Sequence, residues 1–205
     1  MSGVRPRVVV ATSNDGKLRE FREILADLDV EWVSLADAGK VDFPEEGYDY
    51  EANAVAKARA AADQLGLPAL ADDSGLEVEG LAGAPGPGSA RYGGEGLDAA
   101  GRVTHLLSEM ADLAGDARRA RFVCVAALAT PQGVLEVADG VCPGSIRTEP
   151  TGRGGFGYDP VFEVTGRGVT MAELPAEEKN RVSHRGRALQ GLRDAIAALG
   201  QPTRS

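Results

Sequence analysis

The chain has 205 residues, enough to bury a sizeable core, and residues 1–205 are read as a single domain with two lobes. A formal net charge of -9 at pH 7 argues against a long polyanion such as nucleic acid as partner. No apolar run approaches the roughly 20 residues that cross a bilayer, and Val8-Val9-Val10-Ala11 is too short for a signal core, so the expected location is the cytoplasm.

Arg7 to Thr12 reads as a buried strand ending in a polar turn, where Asn14 or Asp15 can cap a helix. Leu18, Phe21, Leu25 and Leu28 then repeat at helical spacing, and Val30 to Leu35 reads as a second strand. Tyr50 to Leu65 is an alanine-rich helix stopped by Gly66 and Pro68. A short strand then ends at Asp72-Asp73. Gly80 to Gly96 is an ordered Gly/Pro-rich loop or lid. Val103, Leu106, Leu107 and Met110 mark a third helix. Arg121 to Ala129 and Val134 to Val141 form a hairpin around Thr130-Pro131-Gln132-Gly133. Arg185 to Leu199 is a last amphipathic helix that Ser183 can cap. βα units plus a hairpin predict an α/β fold with a mixed sheet. Cys124 lies in an apolar run and reads as a buried reduced thiol.

Five segments carry polar groups suited to a phosphate, a cation or a base. Thr12, Ser13, Asn14, Asp15, Gly16 and Lys17 link a strand to a helix, a geometry that offers free N–H groups and a positive helix end to phosphate. The Walker A spacing is absent. The acidic net charge does not oppose such a ligand. A lysine about 4 Å from a phosphate contributes on the order of 4 kcal/mol at an effective dielectric near 20, while charges beyond about 8–10 Å are screened. Asn53 and Lys57 share one helix face with Tyr50. Glu45 can supply a second carboxylate to a metal near Asp73, and Mg²⁺ usually takes one or two carboxylates and keeps several waters.

In Ala71-Asp72-Asp73-Ser74-Gly75, alternate side chains of a strand point to opposite faces, so one aspartate is enough to face a cation; alternation leaves open which. An aspartate beside a metal-bound water can take its proton, and Ser74 can donate to a phosphate oxygen. Gly154 to Pro160 combines loose backbone with the flat faces of Phe156 and Tyr158, suited to a purine, and Asp159 can accept from a ring N–H. Lys179 with Ser183-His184-Arg185 provides donors for a keto oxygen or a phosphate. A donor there favours a 6-keto purine over adenine, whose amino group would leave it unpaired at a cost of about 1–3 kcal/mol. Arg118-Arg119-Ala120-Arg121 reads as a solvated strand entrance, and His105 as structural.

These motifs, in this order, resemble the inosine triphosphate pyrophosphatase family, specifically bacterial members that cleave XTP, dITP and ITP. The likeness runs from Val8 to about Leu192 and rests most on Ala71 through Leu76, Ser89-Ala90-Arg91-Tyr92, Gly154 through Pro160, Glu177-Glu178-Lys179 and Ser183 through Gly186. The resemblance implies an elongated mixed sheet flanked by helices, with two lobes, a central active-site cleft and assembly as a homodimer. It implies Mg²⁺-dependent hydrolysis of the triphosphate to monophosphate and pyrophosphate, with Asp73 as proton acceptor and metal ligand and Glu45 as a further metal carboxylate. Thr12 to Lys17 would be the phosphate loop, with Lys57 near the phosphates and Asn53 in register with the family motif. Ser74, Phe156, Gly157, Tyr158, Asp159, Lys179, His184 and Arg185 would contact substrate. One departure stands out: the family commonly carries Glu-Asn-Ala where this chain has Ala52-Asn53-Ala54.

Overall fold

The computed structural model describes residues 5–133 and 135–199. Strand β1 (Arg7–Val10) stops before Thr12, because Thr12 N–H turns back to the Val10 carbonyl. Helix α1 (Asp15–Ile24) follows, capped by Asn14, whose side chain accepts from Lys17 N–H at 3.1 Å. β2 (Glu31–Ser34) gives way to one helical turn, α2 (Leu35–Ala38), started by the Ser34 side chain. α3 (Tyr50–Leu65) has the predicted bounds, with Asp49 as its N-cap and Gly66 in the left-handed conformation closing it.

β3 (Ala69–Val78) is longer than expected. Asp72 and Asp73 therefore lie inside a strand rather than at its end, and both are buried. Residues 80–96 hold two single 3₁₀ turns and the two-residue strand β4 (Pro85–Gly86). α4 (Ala99–Glu109) matches the third predicted helix. β5 (Arg119–Ala129) ends at the predicted turn, where Gly133 N–H donates to the Thr130 carbonyl at 2.9 Å. β6 (Leu135–Ile146) then runs past the expected end at Val141; Val134, its predicted first residue, lies outside the described residues. β7 (Phe162–Val164) and α5 (Ala176–Val182) are short and carry too few residues for a periodic signal. The single last helix is in fact α6 (His184–Gly191) and α7 (Arg193–Ala198), broken at Gly191-Leu192, where glycine weakens the helix.

The strand order among the described residues is β2-β1-β3-β5-β6-β7, with β4 beside β3. β1 pairs parallel with β2 and β3, whereas β3–β4 and β6–β7 are antiparallel, so the sheet is mixed as predicted. The chain divides into two compact units, Met1–Asp73 with Val125–Asp139 and Arg187–Ser205, and Ser74–Cys124 with Gly140–Gly186.

One hydrophobic cluster of the first unit is built mostly of small side chains, while Phe21, Leu25, Leu70, Leu128, Leu189 and Leu192 are also fully buried in that unit. Ala54, Ala58, Ala61 and Ala62 of α3 pack on Val9, Ala11, Ala69 and Ala71. Alanine has no side-chain entropy to lose and lets helix and sheet backbones approach closely. The second unit has a core of large ones, with Phe122, Tyr158, Phe162, Met171, Leu106 and Met110 in one cluster. Arg119 and Arg121 are exposed as expected and pair with Asp116 and Glu77. Arg118 instead turns inward and donates to the carbonyls of Met110, Leu113, Ile146 and Arg147, satisfying acceptors where α4 and β6 end.

Candidate active site

In the first unit a chain of contacts gathers around Asp72 and Asp73. The Thr12 to Lys17 turn is shaped by its own side chains, with Thr12 Oγ1 accepting from Asn14 N–H at 3.2 Å. It delivers Lys17 one turn into α1, where Nζ lies 3.1 and 3.0 Å from the two carboxylate oxygens of Asp72. Asp73 meets α3 instead. Its Oδ2 accepts from Asn53 Nδ2 at 2.8 Å, and its Oδ1 is 3.4 Å from Lys57 Nζ. Lys57 also donates to Glu46 Oε1 at 2.9 Å. Burial draws the Lys57 ammonium down, but Asp73 and Asp72, joined by Glu46, push further the other way, so it stands above the ordinary lysine value.

In the second unit the gathering point is the Phe156 ring. Lys179 Nζ lies 5.0 Å and the Arg185 guanidinium carbon 5.7 Å from its centre, both within cation–π reach. Asp159 Oδ2 accepts from Phe156 N–H at 2.7 Å and from Lys179 Nζ at 2.5 Å, which fixes the turn under the ring. Gly155 is required here: its φ is +70°, and a Cβ would run into the Asp159 carboxylate and Lys179 Nζ. Arg185, 2% exposed, donates from Nη2 to Ser74 Oγ at 2.9 Å. His184 is buried and stacks on Phe122, with ring centroids 4.7 Å apart. Ser183 Oγ accepts from Gly186 N–H and starts α6.

The sequence model of the Ham1 family matches residues 8–195. The chain belongs to the Ham1 family. It is similar to proteins named dITP/XTP pyrophosphatase from Geobacter sulfurreducens, 50% identical over 95% of this chain and 98% of that one, and from Desulfotalea psychrophila, 49% identical over 92% and 84%. Among solved structures, a HAM1 protein from Coxiella burnetii superposes with a TM-score of 0.83 at 41% identity, covering 93% of this chain and 98% of that one.

In this Ham1-family chain the predicted residues separate into two sets. Thr12 to Lys17, Asn53, Lys57 and Asp73 belong to the first unit; Ser74, Phe156 to Asp159, Lys179, His184 and Arg185 to the second. Asp73 and Ser74 are consecutive in the sequence, at the boundary of the two units. Tyr158 differs from its neighbours in that loop. Its ring is in the core and its hydroxyl donates to the Ser89 carbonyl at 2.9 Å. Burial pushes that hydroxyl up to about 12, with Arg102 pulling against and Tyr92 adding to the shift.

Glu45 is exposed, and among the described residues it is its neighbour Glu46 that reaches Lys57. Two contacts of the predicted site residues carried no sequence signal: Glu46 on Lys57, and Asp72 as the partner of Lys17. Both depend on tertiary path. Ala52, the departure from the family pattern, is exposed as the third residue of α3, and its N–H donates to the Asp49 cap at 2.9 Å. A glutamate there would stand where a capping box puts its acidic member, reaching back to the start of the helix.

Proposed function

We propose that the chain hydrolyses non-standard purine nucleoside triphosphates (XTP, dITP, ITP) to the monophosphate and pyrophosphate, clearing them from the nucleotide pool. The observation that carries this reading is the carboxylate and lysine cluster of the first unit. Asp72 and Asp73 collect the two lysines of a phosphate-type loop and helix. Ser74 carries the arginine that lies over an aromatic ring. Similarity to named dITP/XTP pyrophosphatases supports it.

Lys17 and Lys57 would leave part of their carboxylate contact to meet phosphate oxygens, and the N-terminal N–H groups of α1 would add to them. Asp73 would take the proton of the attacking water. Attack at the α-phosphorus breaks its bond to the bridging oxygen and releases pyrophosphate. The base would lie against Phe156. Arg185, Lys179 and His184 supply donors for a 6-keto oxygen, which disfavours adenine.

Among the described residues no three His, Cys, Asp or Glu side chains form a metal cage. The donors nevertheless fit Mg²⁺, which takes one or two carboxylates and keeps its waters. Among the described residues the carboxylates of Asp72, Asp73 and Glu46 meet Lys17 and Lys57, and the Asp73 Oδ1 contact is long. Asp73, with Glu45 or Glu46, would hold the ion. Bound Mg²⁺ supplies activation of water and charge to offset the phosphates. A cytoplasmic homodimer is the working state implied by the family resemblance. No described helix is long and apolar enough to cross a membrane.

Incubating the protein with dITP and Mg²⁺ and identifying the products tests the reaction. Pyrophosphate and dIMP are expected; orthophosphate contradicts attack at the α-phosphorus. XTP bound tightly without turnover would make the chain a nucleotide sensor instead.

A further inference from the structure

We propose that Asn53 is a positioning residue rather than a substrate ligand: its amide latches the Glu46-Gly47 loop onto the Asp73 carboxylate. This role deepens the proposed pyrophosphatase function and rests on it for its kinetic consequence. A primary amide has two N–H donors and one carbonyl oxygen. Asn53 Oδ1 accepts from Gly47 N–H at 2.8 Å, while Nδ2 donates to the Gly47 carbonyl at 3.0 Å and to Asp73 Oδ2 at 2.8 Å. A phosphate oxygen only accepts, and Asn53, 6% exposed, has both of its donors engaged by protein atoms.

The latch closes a ring. One helical turn along α3, Lys57 Nζ holds Glu46 Oε1 at 2.9 Å and lies 3.4 Å from Asp73 Oδ1. Asn53 thereby turns Oδ2 of Asp73 toward itself and leaves Oδ1, with its one long contact, as the oxygen for chemistry. It also sets where the Glu45-Glu46 carboxylates stand relative to Asp73. Residues 42–49 are exposed.

The fold contains a control. At the other end of the same loop, Gln64 of α3 makes the same pair of amide bonds to Asp42, at 2.9 and 3.0 Å, and has no bond to Asp73. A loop that simply needs to be held predicts equal effects from the two amides; a latch on Asp73 predicts unequal ones.

The test uses the full chain with variants N53A, N53D and Q64A. In metal-free protein, amide exchange by NMR should show Gly47 N–H protected in the wild type. Exchange should be about 3- to 10-fold faster in N53A, the weight of one hydrogen bond, with protection kept in N53D, whose carboxylate still accepts. With dITP, N53A and N53D should both lose about 10–100-fold in kcat, the usual effect of removing a group that orients a metal-site ligand. KM should change little, and Q64A should keep wild-type kcat. An unprotected Gly47 N–H in the wild type overturns the latch, as does a Q64A loss equal to that of N53A. A rise in KM with intact kcat would make Asn53 a substrate ligand and overturn it too. Should N53A not fold, N53D and the wild-type exchange decide. Should the wild type release no pyrophosphate from dITP, the function reading falls, while Gly47 exchange still judges the latch.

Discussion

In the first unit Lys57 divides its ammonium between Glu46, whose side chain is 30% exposed, and Asp73 at 3.4 Å. In the second, Lys179 makes a 2.5 Å contact with Asp159, and the two side chains are 8% and 5% exposed. The same residue types meet in both places, yet the physics differs. A lysine shared between two carboxylates at the edge of solvent can exchange partners with an incoming phosphate. A buried pair under an aromatic ring has no such freedom, because separating it would strand charge away from water. The first unit thus holds charge in a form that can be redistributed, and the second uses charge to shape a surface.

The sharpest break in this contrast is Asp73→Asn, expected to lower pyrophosphate release from dITP about 10²–10⁴-fold while dITP binding persists, measured by single turnover and equilibrium binding. Next comes Lys179→Met, which leaves the Asp159 carboxylate buried and should cost about 3–5 kcal/mol in urea unfolding, with Asp159→Asn in the same chain recovering part of it. Lys57→Met should cost less stability than Lys179→Met while lowering activity; equal costs would erase the distinction between the units.

Alkaline titration sharpens the comparison further. Tyr158 stands at about 12 in the folded chain against 10.0 as its ordinary value, so the unfolded chain loses this proton first and stability falls between those two values. The loss amounts to roughly 2–3 kcal/mol, and Tyr158→Phe should abolish that part of the slope. Lys57, also raised, contributes with the same sign, its stabilisation being present at neutral pH and lost above its ordinary value of 10.5. That second decline should survive in Tyr158→Phe. The smallest expected effect is Ala52→Glu, which completes a capping box with Asp49 and should add about 0.5–1 kcal/mol without changing metal dependence.

Much of the site was legible because its pieces are local. The Thr12 to Lys17 turn and the face shared by Asn53 and Lys57 follow from caps and helical spacing, and each stayed intact in the fold. Roles were harder to read than elements. Tyr158 looked like a second stacking face beside Phe156, but its ring packs in the apolar core and its hydroxyl donates to the Ser89 carbonyl. Alternation left the parts of Asp72 and Asp73 open, and Asp72 is the anchor of Lys17. Neither Ser89 nor Lys17 is near its partner in sequence, so no spacing rule reaches them.

The amino-acid sequence by itself determined the α3 bounds, a capped start to α1 at Asn14 or Asp15, the mixed α/β character and the ordered motifs, because backbone propensity, capping and turn chemistry act over a few neighbouring residues. Only the tertiary structure decided that Asp72 and Asp73 sit inside β3, that Glu46 rather than Glu45 reaches Lys57, and that Asn53 joins Gly47 to Asp73. These are hydrogen bonds and ion pairs of short range in space, and which groups come within that range is settled by packing alanine against sheet and phenylalanine against phenylalanine far from them in the chain.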